Sequence, residues 1–219
     1  MTDDDTTKAP DQRIADLFTR SDKTFRFARW GRALAPAIYG TNDEGIRIYE
    51  QALRSVAGLA DLQIQDLDPE LGANFLVFFS RDWSELREVP HLDKLIPDLD
   101  RLVTTLTAAG ANQYRIFGFD EAGAIRICIT LLRYDADLQQ ISAQTLAVSQ
   151  CFQGLLLWSD HAFTKESPIA LIDDGRCVVK PWYADVVRAA YDPVLPVAGD
   201  DPALSLRMAA RIQRMEEER

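Results

Sequence analysis

The chain has 219 residues, 47% hydrophobic and 26% charged, enough for one sizeable core and too few for two comfortable domains. Its 34 acidic and 24 basic residues leave a net charge of -10, a field that repels nucleic acid and anionic lipid, so neither is expected as a partner. No apolar run approaches the ~20 residues of a membrane span, and three widely spaced cysteines without a C-x-x-C pair argue against a disulfide framework or a cysteine zinc site.

Residues 1–22 are polar, beginning Met1-Thr2-Asp3-Asp4-Asp5, with a short apolar patch from Ile14 to Phe18. They read as a flexible acidic tail holding one helical turn, ahead of a single domain over residues 23–219. An acidic start is unlike an export signal, so the expected location is cytoplasmic as given. The alternative is a periplasmic or secreted protein whose precursor has been shortened. Residues 25–40 read as extended, and Pro36, lacking a backbone donor, marks an edge or a break. Three arginines, Arg26, Arg29 and Arg32, cluster here. They read as a solvated face, with anion binding as the sharper alternative.

Residues 44–59 read as a helix, with Ile46, Tyr49, Leu53 and Val56 forming one stripe, Asn42 or Asp43 as cap and Gly58 near the stop. Residues 62–67 alternate like a half-buried strand. The unbroken apolar run Phe75-Leu76-Val77-Phe78-Phe79 suits a strand covered on both faces. Residues 82–95 are charged, with one short helix. Pro97 opens a helix over 98–109, where capping accounts for Asp98 and Asp100. Residues 114–119 and 124–134 read as a hairpin turning at Asp120-Glu121-Ala122-Gly123. A long helix is expected from 139 to 157. A loop-like stretch over 158–180 follows, with a turn at Asp173-Asp174-Gly175. Helices over 182–191 and from Asp201-Pro202 to about residue 215 close the chain. The order predicts an α+β single domain with a mixed, mostly antiparallel sheet, helices on one face and a helical C-terminal portion.

Four local patterns occur in order: Arg29-Trp30, Asn74-Phe75-Leu76-Val77, Gln153-Gly154-Leu155 with Asp160, and Tyr191-Asp192-Pro193 with Leu195. Together they resemble an alphaproteobacterial domain-of-unknown-function family, over roughly residues 24–213. The family's helix reads E-E-x-x-Q-x-L-G-L-x-N-D, itself similar to a worn zincin motif, H-E-x-x-H-x-x-G-x-x-H. In that motif two histidines at i and i+4 bind zinc from one helix face, and the glutamate polarises the metal-bound water.

On that pattern Ser149 takes the first ligand position, Gln150 the general base, Gln153 the second ligand and Ser159 the third, while Leu156 replaces the turn glycine. None supplies the original chemistry. The remnant cleft implied by the resemblance comprises Ser149, Gln150, Gln153, Trp158, Ser159, Asp160 and His161, with Trp158 as an aromatic rim. No catalytic residue, metal ion or cofactor is expected. The chain has only two histidines, His91 and His161. His161 reads as an exposed loop residue, or, beside Asp160, as part of a metal site. Cys128 reads as a buried thiol. Cys151, near a helix C-terminus, reads as a core or semi-exposed thiol, and a Cys151–His161 catalytic pair is the sharp alternative. Glu166 and Asp160 would make a carboxylate pair only if they shared a cleft. Phosphate-binding glycine loops and the G-x-S-x-G elbow are absent from the sequence.

The leading expectation is a non-catalytic zincin-like protein that binds a protein or peptide partner. The alternatives are a peptidase-like hydrolase working through Gln150, Gln153, Asp160 and His161, and a structural subunit of an envelope or secreted assembly.

Overall fold

A four-stranded sheet organises the chain, in a computed structural model that describes residues 8–172 and 176–218. The acidic start at residues 1–5 and the Asp173-Asp174-Gly175 turn lie outside the described residues. Pro10–Phe18 form α1, and Phe27–Ala28 form the short β1. Pro36–Tyr39 form β2, an edge strand, which accommodates the missing donor of Pro36. Asp43–Ala57 form α2, begun by Asn42, whose side-chain oxygen accepts from the Gly45 amide at 2.9 Å. Phe75–Ser80 form β3. A 3₁₀ turn over Trp83–Glu88 and the short α3, Leu92–Leu95, lead to α4, Leu99–Ala108. The hairpin is β4, Gln113–Phe119, and β5, Ile125–Arg133. Ala143–Gln153 form α5, Ile169–Leu171 and Cys177–Val179 form the small hairpin β6–β7, and Pro181–Ala190 form α6. Ala198–Gly199 form β8 and Ala203–Glu217 form α7.

The α+β class is observed, and the sheet is mixed, in the order β2-β3-β5-β4. Two features of the expected sheet are corrected. Within it, β2 with β3 and β3 with β5 are parallel, and only β4 with β5 is antiparallel. The helix α2 crosses over between β2 and β3, which is what parallel neighbours require. Helices also cover both faces rather than one. Phe75 and Val77 of β3, with Cys128 and Leu132 of β5, face the core that α2 and α5 close. The alternate residues Leu76, Phe78, Ile129 and Leu131 meet Trp83, Leu86 and the stripe Leu99, Val103 and Leu106 of α4.

The N-terminal expectation is also corrected. Residues 10–18 are a helix in the core, not tail, with Ile14 and Phe18 fully buried and Leu17 nearly so. The spacing of these three residues makes one apolar stripe, which packs against α7. The β1–β8 pairing ties the same region to the C-terminal portion.

Residues 62–67 form no strand. Ile64 makes an isolated bridge to Leu34, and the ladder stops because Pro36, two residues on, has no amide to donate. The helix expected over 139–157 is shorter at both ends. Ser142 caps it by accepting from the Thr145 amide at 3.1 Å, and beyond Gly154 the chain turns Leu155, Leu156 and Leu157 into the core. Asp98 precedes α4 in a left-handed conformation without a side-chain cap, and Asp100 pairs instead with Arg87 at 2.7 Å.

Candidate functional site

The helix α5 carries the first three positions of the zincin-like pattern, and the structure brings them together around a cation from β4. Gln150 is buried at 3% exposure. Its Oε1 accepts from Nη2 of Arg115 at 2.5 Å, and its Nε2 donates to Oε1 of Gln113 at 2.8 Å. Gln153, one turn further, accepts from Arg115 Nη1 at 3.1 Å and donates to the Ser149 hydroxyl at 3.1 Å. Arg115 Nε donates to the Thr130 hydroxyl at 3.3 Å, across the β4–β5 register that sets these two residues opposite each other. Arg115 itself is half-buried, but burial depresses the pKa of its guanidinium, and no carboxylate among the described residues pairs with it. Its partners are amide and hydroxyl oxygens, each a neutral acceptor.

The other four residues of the expected cleft lie elsewhere, which corrects the idea of one remnant cleft. Trp158 is core: its ring stacks on Phe18 at 5.5 Å and on Phe152 at 5.3 Å. It is not a rim, because α1 occupies the space a cleft would need. Ser159 is buried beside the same helix, its amide donating to the Leu17 carbonyl at 2.7 Å and its hydroxyl to that of Asp16 at 3.3 Å. Asp160 and His161 are exposed. Asp160 accepts from the Ser21 amide at 3.0 Å, from the Ser21 hydroxyl, and lies 3.1 Å from Nδ1 of His161. These bonds, the Ser21 side chain first, hold its carboxyl at about 2. Among the described residues no group of three or more His, Cys, Asp or Glu side chains is placed to hold a metal ion.

The sharper sequence alternatives find different partners. Cys151 is buried, its thiol donating weakly to the Tyr49 carbonyl at 3.8 Å, and burial pushes its pKa well above the usual thiol range. His161 sits on the surface, so the two do not form a nucleophile–base pair. Burial likewise raises Cys128 to about 11. Glu166 accepts from Lys180 at 2.6 Å and from Tyr183 at 3.3 Å rather than facing Asp160. Of the basic cluster, Arg29 lies over the Tyr191 ring and donates to the Leu195 carbonyl at 3.1 Å, while Arg32 pairs with Glu70 at 2.8 Å.

The local patterns that carry the family resemblance meet in space. Trp30 Nε1 donates to the Gly154 carbonyl at 2.8 Å, and the Tyr191 hydroxyl donates to the Leu155 carbonyl at 2.6 Å while accepting from the Trp30 amide at 3.2 Å. Gly154 fits only without a side chain, since a Cβ would stand 2.6 Å from the Phe75 ring. Asn74 accepts from the Ala35 amide at 2.8 Å and donates to Asp68 at 3.0 Å. Each of these bonds satisfies a backbone group or positions one, so the patterns record a joint between the end of α5, the sheet and the C-terminal portion.

Two features were missed at the level of sequence. Arg115 is one, and its signal was a charged residue inside an otherwise apolar hairpin strand. The other is a cavity of about 610 Å³ at the carboxyl ends of β2 and β3, lined by none of the seven expected residues. It gathers short segments that are far apart in the chain, and no single motif marks it. No family model, no curated protein and no solved structure matches this chain.

Proposed function

We propose that this chain is a non-catalytic zincin-like binding protein, in which a guanidinium occupies the place of a metal ion. One observation supports the reading: Ser149, Gln150 and Gln153 converge, and the Arg115 guanidinium lies among them, bonded directly to both glutamines. A fixed positive charge there opposes a divalent cation, and the neutral amides offer nothing to offset a second charge. Gln150 at the general-base position cannot accept a proton near neutrality. The partner is a protein or peptide engaged away from these positions, because Gln150, Trp158 and Ser159 belong to the core. The net charge of -10 favours a partner of basic character.

The test is zinc titration and elemental analysis of untagged protein, with a peptide library as substrate. The expected result is no stoichiometric zinc and no chelator-sensitive cleavage. One zinc per chain, lost in Asp160→Asn or His161→Ala, would overturn the reading in favour of the peptidase.

A further inference from the structure

The four-stranded sheet ends in two unlike edges. At one end β2 is only four residues long and begins with Pro36, which offers no amide to a neighbour. At the other end β4 runs for seven residues, Gln113–Phe119, without proline, lysine or a carboxylate, and among the described residues it pairs with β5 alone. None of its residues is buried, and Tyr114 and Phe119 keep 42% and 40% of their surface exposed. A long, largely apolar edge left open is a template for a further strand.

Two bonds show which groups of β4 face outward. The Arg133 amide donates to the Asn112 carbonyl at 2.8 Å, so these residues are a bonded pair at the end of the hairpin. The Cys128 amide, opposite Phe117, turns away from β4 to the Asn74 carbonyl, also at 2.8 Å. The antiparallel alternation then directs the amides and carbonyls of Tyr114, Ile116 and Gly118 to β5, and those of Gln113, Arg115 and Phe117 to the open side.

The charges indicate what pairs there. Two copies of a chain with net charge -10 repel each other. From Leu102 to Phe119, however, Arg115 is the one charged residue, in a chain that is 26% charged. This stretch includes the exposed Thr104, Thr105, Thr107 and Ala108 of α4 as well as β4 itself. The helix α5, which meets Arg115 through Gln150 and Gln153, carries no charged residue. No carboxylate along these segments adds to the repulsion between copies.

The strand also fits itself. Antiparallel pairing of two β4 strands centred on Arg115 sets two guanidinium groups opposite each other, and centring on Phe117 runs into the irregularity between Gly118 and Phe119. Centring on Ile116 uses the whole regular strand. Tyr114 then faces Gly118, the smallest residue of the strand, Arg115 exchanges both backbone bonds with Phe117, and Ile116 meets its own copy. We propose that a second copy of this chain adds across β4 in this register, about a two-fold axis at Ile116, so that two four-stranded sheets join into one. Arg115 keeps its bonds to α5 in the pair, and the proposal does not depend on the reading of α5.

The experiment is sedimentation equilibrium of the full chain, whose mass is 24.6 kDa. The wild type is expected to form a reversible dimer at sub-millimolar concentration. Tyr114→Glu, at an exposed position, places a like charge in each copy's contact and weakens the dimer about tenfold or more, while the circular dichroism stays unchanged. Cross-linking reads the register in a Cys177→Ser background, where the remaining Cys128 and Cys151 are buried. Ile116→Cys sets the two Cα atoms about 4.5 Å apart, within reach of a disulfide, so mild oxidation gives a covalent dimer. Tyr114→Cys leaves its two copies about 13 Å apart along the strands and does not cross-link. A wild type that stays monomeric, as it would if a foreign strand were the occupant, overturns the assignment. So does a dimer that Tyr114→Glu leaves intact, or a cross-link at residue 114 in place of 116.

Discussion

Replacing Gln150 by Leu removes the nearest acceptor of the Arg115 guanidinium and keeps the side-chain volume similar. The guanidinium then retains Gln153 and Thr130, at 3.1 and 3.3 Å, but loses its shortest bond, at 2.5 Å. A hydrogen bond to a charged group contributes about 1.5–3 kcal/mol, and Arg115 keeps some solvent access, so the expected loss is about 1.5–3 kcal/mol. At about 2–4 °C per kcal/mol for a domain of this size, the melting temperature falls by roughly 3–12 °C. Arg115→Met has a cost of the same order, because it strands the Gln150 oxygen in the core. The double variant removes both partners, and the exposed Gln113 turns to water. It is expected to be more stable than either single variant, with a coupling of about 1–3 kcal/mol. Urea denaturation of the four proteins measures the cycle. Additive losses, or a Gln150→Leu protein within about 0.5 kcal/mol of the wild type, would refute the view that the guanidinium and the amide depend on each other.

Two further outcomes follow from the N-terminal region. Asp160 has a folded pKa of about 2 against an ordinary value of 3.8, so its contribution is complete above about pH 4 and is lost as pH falls through 2. The gap in melting temperature between wild type and Asp160→Asn should therefore close between pH 4 and pH 2, and a gap independent of pH would sink the assignment. Phe18→Ala should cost about 3–5 kcal/mol by opening a hole beneath Trp158. A loss below about 1 kcal/mol would mean that α1 does not belong to the core.

Elements whose signal is local were legible in the sequence. The stripe Tyr49, Leu53 and Val56 with Asn42 ahead of it identified α2, and the unbroken apolar run identified β3 as covered on both faces. The hairpin declared itself through its turn, and because that was the only pairing with a turn signal, the mixed sheet read as mostly antiparallel. Parallel neighbours β2, β3 and β5 are joined through long crossovers that leave no such mark. The three apolar residues of α1 were visible, but their burial depends on α7, nearly two hundred residues on. The site was read in part: Ser149, Gln150 and Gln153 share a helix side, as their spacing implied. What they face is decided by the register of β4, which no motif in α5 encodes.

The joint between Trp30, Leu155 and Tyr191 sets a timetable for synthesis. Its bonds span 124 residues from Trp30 to Gly154 and 161 from Trp30 to Tyr191. A chain emerging from the ribosome can pair β2 with β3 and close α2 over them early. It cannot lock the end of α5 until Tyr191 arrives, and α1 stays without its α7 partner for longer still. Closing loops of this length is slow and entropically costly. Through most of translation Phe18 and Trp30 therefore lack their final cover, and in the cell that interval is when the nascent protein most needs shielding from other chains.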